Sequence, residues 1–219
     1  MDTRSGFHHS LDGLRSELLA MGRNVEQLIH EAVESLARAD EKLAKAVIDS
    51  DDEVDGAMSR IDELCLRLIA LQQPMASDLR VIGTALKIAT DLERIADHAV
   101  DIAKITIRLN GEELVKPLEI IPQMAEQAKD MLRESLLSYT ERNVHRAAAL
   151  ADKDDGVDKM YSTVMTEIIG LMGTDIAKNR QLTHLMLVAS HLERVGDHTT
   201  NIGEAVIYMV TGKRKDLNV

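Results

Sequence analysis

The chain has 219 residues, 45% of them hydrophobic, and carries a formal net charge of −11. That length allows one large domain or two small ones, and the acidic balance tells against nucleic-acid binding, which needs Lys and Arg to neutralise phosphates, and against adhesion to an anionic membrane. One Phe, three Tyr and no Trp stand against many Leu, Ile, Val, Ala and Met, the composition of a core built by aliphatic interdigitation, as in helical bundles.

Apolar residues recur at helical spacing from about Leu11 to Leu36, through Leu18, Met21, Val25, Leu28, Ile29 and Val33, and predict a first amphipathic helix. Asp40 is placed to cap a second, which runs to about Leu71. QQPMAS breaks it, because Pro74 removes a backbone donor and Ser77 can cap the next helix. That third helix is expected from about Asp78 to Leu109. NGEELVKPLEIIP, with a Gly and two of the three prolines, is a connector. Three more helices are expected beyond it, at about Pro122 to Tyr139, Asn143 to Met172, and Asp175 or Asn179 to Val210, with MGT (172 to 174) as the second break. KRK near the C-terminus reads as a solvated tail. The opening MDTRSGFHHSLDGLRSELLA has no apolar signal-peptide core, and no segment approaches the ~18 apolar residues of a membrane span. The single Cys65, in the apolar stretch DELCLRLIAL, is expected to be a buried small hydrophobe in a reducing compartment. A soluble cytoplasmic protein is the expectation.

The two halves are copies. LERIADH (92 to 98) returns as LERVGDH (192 to 198); Arg80, Ala89 and Ile102 return as Arg180, Ala189 and Ile202. Upstream the offset is 103, where DDEVD (51 to 55) meets DDGVD (154 to 158) and Ser35 meets Ser138. Identity over this much chain implies duplication of a unit of roughly 105 residues. The expected fold is therefore all-α: two pseudo-symmetric three-helix bundles, six long helices in all. Residues 1–110 form the first repeat and 111–219 the second.

Each copy carries acids at a spacing of four, which on a helix stacks them on one face. Glu93 and Asp97, extended by Asp101, lie on the third helix; Asp51 and Asp55 lie on the second. In an antiparallel hairpin turning at Pro74, the pairs 51/97 and 55/93 are level, since both are centred on residue 74. In the second copy Asp154/Asp197 and Asp158/Glu193 are level about the second break. Level residues need not face each other. If they face, two arrangements are open: acids partly protonated or splayed with nothing bound, or cations between them. Oxygen ligands of this kind suit Mg, Ca, Mn or iron. His98 and His198 point about 100° away from the column, so a supporting or surface role is expected. Arg94 and Arg194 are expected to form plain ion pairs with the neighbouring Glu.

Enzyme templates do not fit. No Glu has a His three residues later, as di-iron bundles require, and H-E-x-x-H, P-loop, GxGxxG and nucleophile-elbow motifs are absent. A metal-dependent helical enzyme, four carboxylates activating water through paired metals, is the alternative reading.

QQPMASDLR, DLERIADHAVDIAK and HLERVGDHTTNI, set in two three-helix units, closely resemble the PhoU family, the phosphate-specific transport system accessory proteins; the likeness runs from about Phe7 to Tyr208. The resemblance implies a cytoplasmic, often dimeric, non-enzymatic negative regulator of phosphate uptake and phosphate-starvation signalling. It would link the ATPase of a phosphate ABC transporter to a sensor histidine kinase, with only indirect membrane association and no nucleic-acid partner. It also implies metal clusters on the ExxxD and DxxxD motifs, iron above all, with Zn, Mn, Mg and Ca as alternatives. Carried over, the ligands are Asp51, Asp55, Glu93, Asp97 and Asp101 in the first unit, and Asp154, Asp158, Glu193, Asp197 and Asn201 in the second. Asn201 stands where the first unit has Asp101, so the first site, one charge richer, is expected to bind more tightly.

Overall fold

The structure is a computed structural model and describes residues 3–109, 111–116, 118–173 and 176–218. Among these the regular elements are helices: α1 (Thr3–Arg38), α2 (Glu41–Asp49), α3 (Asp51–Gln72), α4 (Ala76–Leu109), α5 (Ile120–Glu141), α6 (Val144–Ala148), α7 (Leu150–Leu171) and α8 (Asn179–Thr211), with a 3-10 turn at Ile176–Lys178. Both copies have the expected course of three long helical segments. The middle segment of each is bent, into α2 and α3 at Ser50 and into α6 and α7 at Ala149. At Ser50 the side-chain hydroxyl donates to the Ala46 carbonyl, a back-bond that bends helices. The bends fall at different places. Under the 103-residue offset that relates these segments, the one at Ala149 comes one turn earlier than the one at Ser50.

The corner between the first two segments is duplicated at the level of the backbone. Ala39 and Arg142 both take left-handed φ values, 51° and 52°. Directly after them, Asp40 accepts from the amides of Lys42 and Leu43, and Asn143 from those of His145 and Arg146. Each cap satisfies two otherwise unpaired helix N–H groups. Asp40 thus does what its position predicts. Ser77 does not cap: α4 begins at Ala76 and takes Ser77 into its first turn. The second break keeps Met172 and Gly173 (φ 95°) outside helix, and α8 begins at Asn179. Thr174 and Asp175, and in the connector Asn110 and Pro117, lie outside the described residues.

Helices α4 and α8 are the centre of the molecule. Each packs against the other two segments of its own repeat, and α4 and α8 pack most extensively on each other; α1 also meets α5. One apolar core therefore runs through both repeats. Alanines 85, 89, 96, 99 and 103 on α4, and Ala189, Gly196 and Gly203 on α8, are buried and let backbones approach closely. Cross-repeat polar contacts line the seam: Arg80 Nε donates to the Met209 carbonyl, Thr84 Oγ1 to that of Ala205, and Arg180 Nη1 to that of Arg108. Buried Gln181 anchors the connector, accepting from the Val115 amide and donating to the Glu113 carbonyl. Cys65 is fully buried, and burial pushes its thiol up to about 12, so it is the inert hydrophobe expected. No helix among the described residues is long and apolar enough to cross a membrane.

The tail is solvated along its basic run and anchored beyond it. Lys213, Arg214 and Lys215 are exposed, as read from the sequence, but Leu217 folds back and is buried beside Gly203, with its amide donating to Glu204. A Cβ on Gly203 would stand 2.7 Å from Leu150 Cδ1 and 3.0 Å from the Ala147 carbonyl oxygen. Gly203→Val is therefore expected to destabilise the fold by roughly 1–3 kcal/mol. Gly83→Ala, at an exposed position within α4 and with nothing near its Cβ, is expected to stabilise by roughly 0.5–1 kcal/mol. Urea unfolding of the two variants measures both.

Candidate functional site

The carboxylates of each hairpin face one another. In the first repeat, burial pushes the Asp51 carboxyl above its ordinary value, and the negative charges of Asp55 on its own helix and Asp97 on α4 push it further; Lys104 partly offsets them. Glu93 is likewise raised, first by burial, then by Asp97, with Asp55 and Asp51 contributing from across the gap. Residues of α3 and α4 that should be level are therefore close enough to repel. Arg94 lies against both members of the α4 pair, 3.4 Å from Glu93 Oε2 and 3.0 Å from Asp97 Oδ2. It is the plain ion pair expected, on a half-exposed side chain, and in this geometry worth little in water.

The second repeat repeats the arrangement at greater depth. Asp154 is buried, 8% exposed, and desolvation together with Asp158, Asp197 and Glu193 pushes its carboxyl up to about 7. Glu193 is raised by burial, Asp197 and Asp158, and Asp197 by burial and Asp158, with Arg194 opposing both. Two local differences deepen Asp154. Gly196 leaves room for it: a Cβ there would stand 2.7 Å from Asp154 Oδ1, whereas the first repeat has Ala96. The earlier bend also puts Asp154 one turn inside α7, while Asp51 is the first residue of α3, where unpaired N–H groups favour a carboxylate. The tail adds one more contact, Asn218 Nδ2 donating to Asp197 Oδ1 at 2.9 Å.

Asp101 belongs to a different group. Lys104 Nζ stands 3.1 Å from its Oδ1, and its carboxylate lies with His98 and His191 in a set whose donor atoms are all within 4.8 Å of one another. Among the described residues that is the one set of three such side chains so close together. Among the described residues no three column carboxylates come that close together. Asp101 pairs with Lys104 and leans to the histidines, so the extra charge of the first repeat relative to Asn201 does not simply add to the column. Asn201 occupies the equivalent half-buried place on α8.

The histidines are placed by the same rotation that turns them away from the acids: they lie on the α4–α8 seam. His98 Nδ1 is 3.2 Å from His191 Nδ1, and His198 Nδ1 is 3.0 Å from Asp91 Oδ1. Position 91 is the counterpart of 191 and 98 of 198, so the two contacts are one pseudo-symmetric crossing occupied differently. Sequence reasoning put His98 and His198 off the column but missed where they go. The repeat offset held the signal, since it pairs Asp91 with His191 as well as His98 with His198. Burial, reinforced by His191 and His198, pushes the His98 imidazole down to about 4, and burial also lowers His191.

These carboxyls set a pH dependence. Asp154 binds its proton more tightly in the folded protein, near 7, than in the unfolded chain, near its ordinary 3.8. Its stabilising contribution is whole below the unfolded value and is lost as pH rises through the folded one. Glu193, Asp197, Asp51 and Glu93, all raised, act in the same direction. Chelator-treated protein is expected to melt lower at pH 8 than at pH 5, and Asp154→Asn to recover roughly 5 °C of that loss. Melting curves across this range test it; equal slopes for both proteins would contradict it.

Comparison with known proteins agrees with this architecture. A family model described as the PhoU domain matches residues 18–106 and again 121–206. A Clostridium acetobutylicum protein named phosphate-specific transport system accessory protein PhoU homolog is 45% identical over 217 residues, 99% of both chains. A Zymomonas mobilis homolog of the same name is 34% identical, covering 97% of this chain and 90% of that one. The crystal structure of PhoU from Pseudomonas aeruginosa superposes with a TM-score of 0.90 at 36% identity, over 94% of this chain and 100% of that one. That of the phosphate transport system regulatory protein PhoU from Streptococcus pneumoniae gives 0.89 at 32%, over 96% and 99%. With both repeats matched and nearly all of the helical body shared, the chain belongs to the PhoU family.

Proposed function

We propose that this protein is a non-enzymatic accessory of a phosphate ABC transporter. It acts in the cytoplasm, restrains phosphate uptake and starvation signalling, and binds both the transporter ATPase and a phosphate-sensing histidine kinase. The observation that carries the reading is the 45% identity, end to end, to a protein named as a phosphate-specific transport system accessory protein. Physical features support docking to proteins. The tips of the two hairpins carry exposed apolar side chains, Leu71 and Met75 (each 70% exposed) on the first and Ile169 and Ile176 on the second. A homodimer or a partner would cover such side chains. With no spanning helix among the described residues, contact with the membrane is through those partners.

The carboxylate columns are the second part of the reading. Asp51, Asp55, Glu93 and Asp97 in one repeat, and Asp154, Asp158, Glu193 and Asp197 in the other, are mutually repelling, partly buried acids. A bound cation supplies the positive charge that makes such a set favourable and draws its oxygens together. Oxygen-only donors fit hard or borderline ions such as Mg, Ca and Mn; the family resemblance puts iron first, with Zn also an alternative. The family resemblance adds Asp101 and Asn201, one turn further on, to these sets.

Affinity-tagged protein is expected to retain the transporter ATPase and the kinase from phosphate-replete cells; retention of neither would defeat the regulatory reading. For the columns, elemental analysis of protein purified without chelator should find metal. Combining Glu93→Gln, Asp97→Asn, Glu193→Gln and Asp197→Asn should remove most of it while helicity stays; unchanged metal content would rule the columns out.

A further inference from the structure

We propose that His98 and Asp101 of the first repeat and His191 of the second bind one divalent transition-metal ion across the α4–α8 seam. Three observations carry this. The donor atoms of the three side chains lie within 4.8 Å of one another, and they come from both repeats. The two Nδ1 atoms are 3.2 Å apart, close to the edge of about 3.3 Å between ligands of a tetrahedral zinc with bonds of about 2.0–2.1 Å. The rings are tilted by 43° with centroids 5.3 Å apart, so they are not stacked face to face and the facing Nδ1 atoms remain their nearest approach.

The pseudo-symmetric crossing shows what a closed version looks like. There Asp91 replaces the second histidine, His198 Nδ1 lies 3.0 Å from its Oδ1, and Lys87 lies 3.4 Å from its Oδ2. Carboxylate, imidazole and ammonium satisfy one another, and Asn201 stands where a further acid would be. The first crossing has two facing imidazole nitrogens, of which one at most can donate to the other, and a half-exposed carboxylate that opens the set to solvent. Lys104 holds Oδ1 of Asp101; a carboxylate has a second oxygen to give. Two imidazoles and one carboxylate, with a position left for water, form a donor set for zinc and its neighbours, unlike the all-oxygen columns. Because α4 and α8 belong to different repeats, the ion would tie the two halves together. The site does not depend on the columns binding anything.

The test uses the full chain, stripped with chelator and titrated with zinc, and again with cobalt(II) as a visible-absorbing probe. Ring NMR signals of the eight histidines report imidazole ligation, which the all-oxygen columns do not offer, and the quadruple column variant separates the two sites. The expected result is a shift of the His98 and His191 signals together, with an intense cobalt absorption of tetrahedral type. His191→Ala should lose one metal equivalent, with the seam affinity falling by about 100-fold or more. Should that variant fold poorly, Asp101→Asn, altered only at a half-exposed carboxylate, should weaken binding by about 10-fold. The quadruple column variant should keep the histidine response. Zinc uptake that leaves the His98 and His191 signals unmoved would overturn the proposal and leave a simple N–H···N hydrogen bond. So would equal stoichiometry and affinity in wild type and His191→Ala.

Discussion

The packing of α4 on α8 governs the rest of this molecule. Each is the last helix of its repeat, and each gives one side to its own hairpin and another to its counterpart. Polar groups at 80, 84, 91, 98, 180, 191 and 198 punctuate the contact. Because the seam uses one face, the acids are displaced onto the flanks, between α3 and α4 and between α7 and α8. A single helical step of about 100° separates Asp97 from His98 and Asp197 from His198. That step divides the two chemistries: carboxylates alone on the flanks, imidazoles with carboxylates at the seam.

Duplication fixed a common frame and left the copies free to diverge within it. The left-handed corners at Ala39 and Arg142 and the caps at Asp40 and Asn143 are the same device. The acid columns are not quite the same. A glycine in place of an alanine and a bend moved by one turn bury Asp154 where Asp51 stays near a helix start. Four like charges in a partly desolvated gap oppose folding unless protons or cations compensate. The more buried column therefore has the stronger need of a counter-charge, although the first repeat holds the extra acid in its sequence.

Much of this was readable from the residues. Helical periodicity, the scarcity of proline and the repeat offsets determined six long helical segments in two copies, because these depend on local spacing and on steric rules of the backbone. The symmetry of numbering about Pro74 determined that the acids stand level, since rise per residue is constant along a helix. Tertiary structure alone decided how each helix is rotated about its axis, because rotation depends on which faces find a partner to bury against. It thereby decided that the columns face one another, that Asp101 leaves its column for Lys104 and two histidines, and that the tail folds back on Leu217 rather than dissolving into solvent. The pairing of His98 with His191 joins residues on different repeats, ninety-three positions apart, and only the contact between α4 and α8 could bring them together.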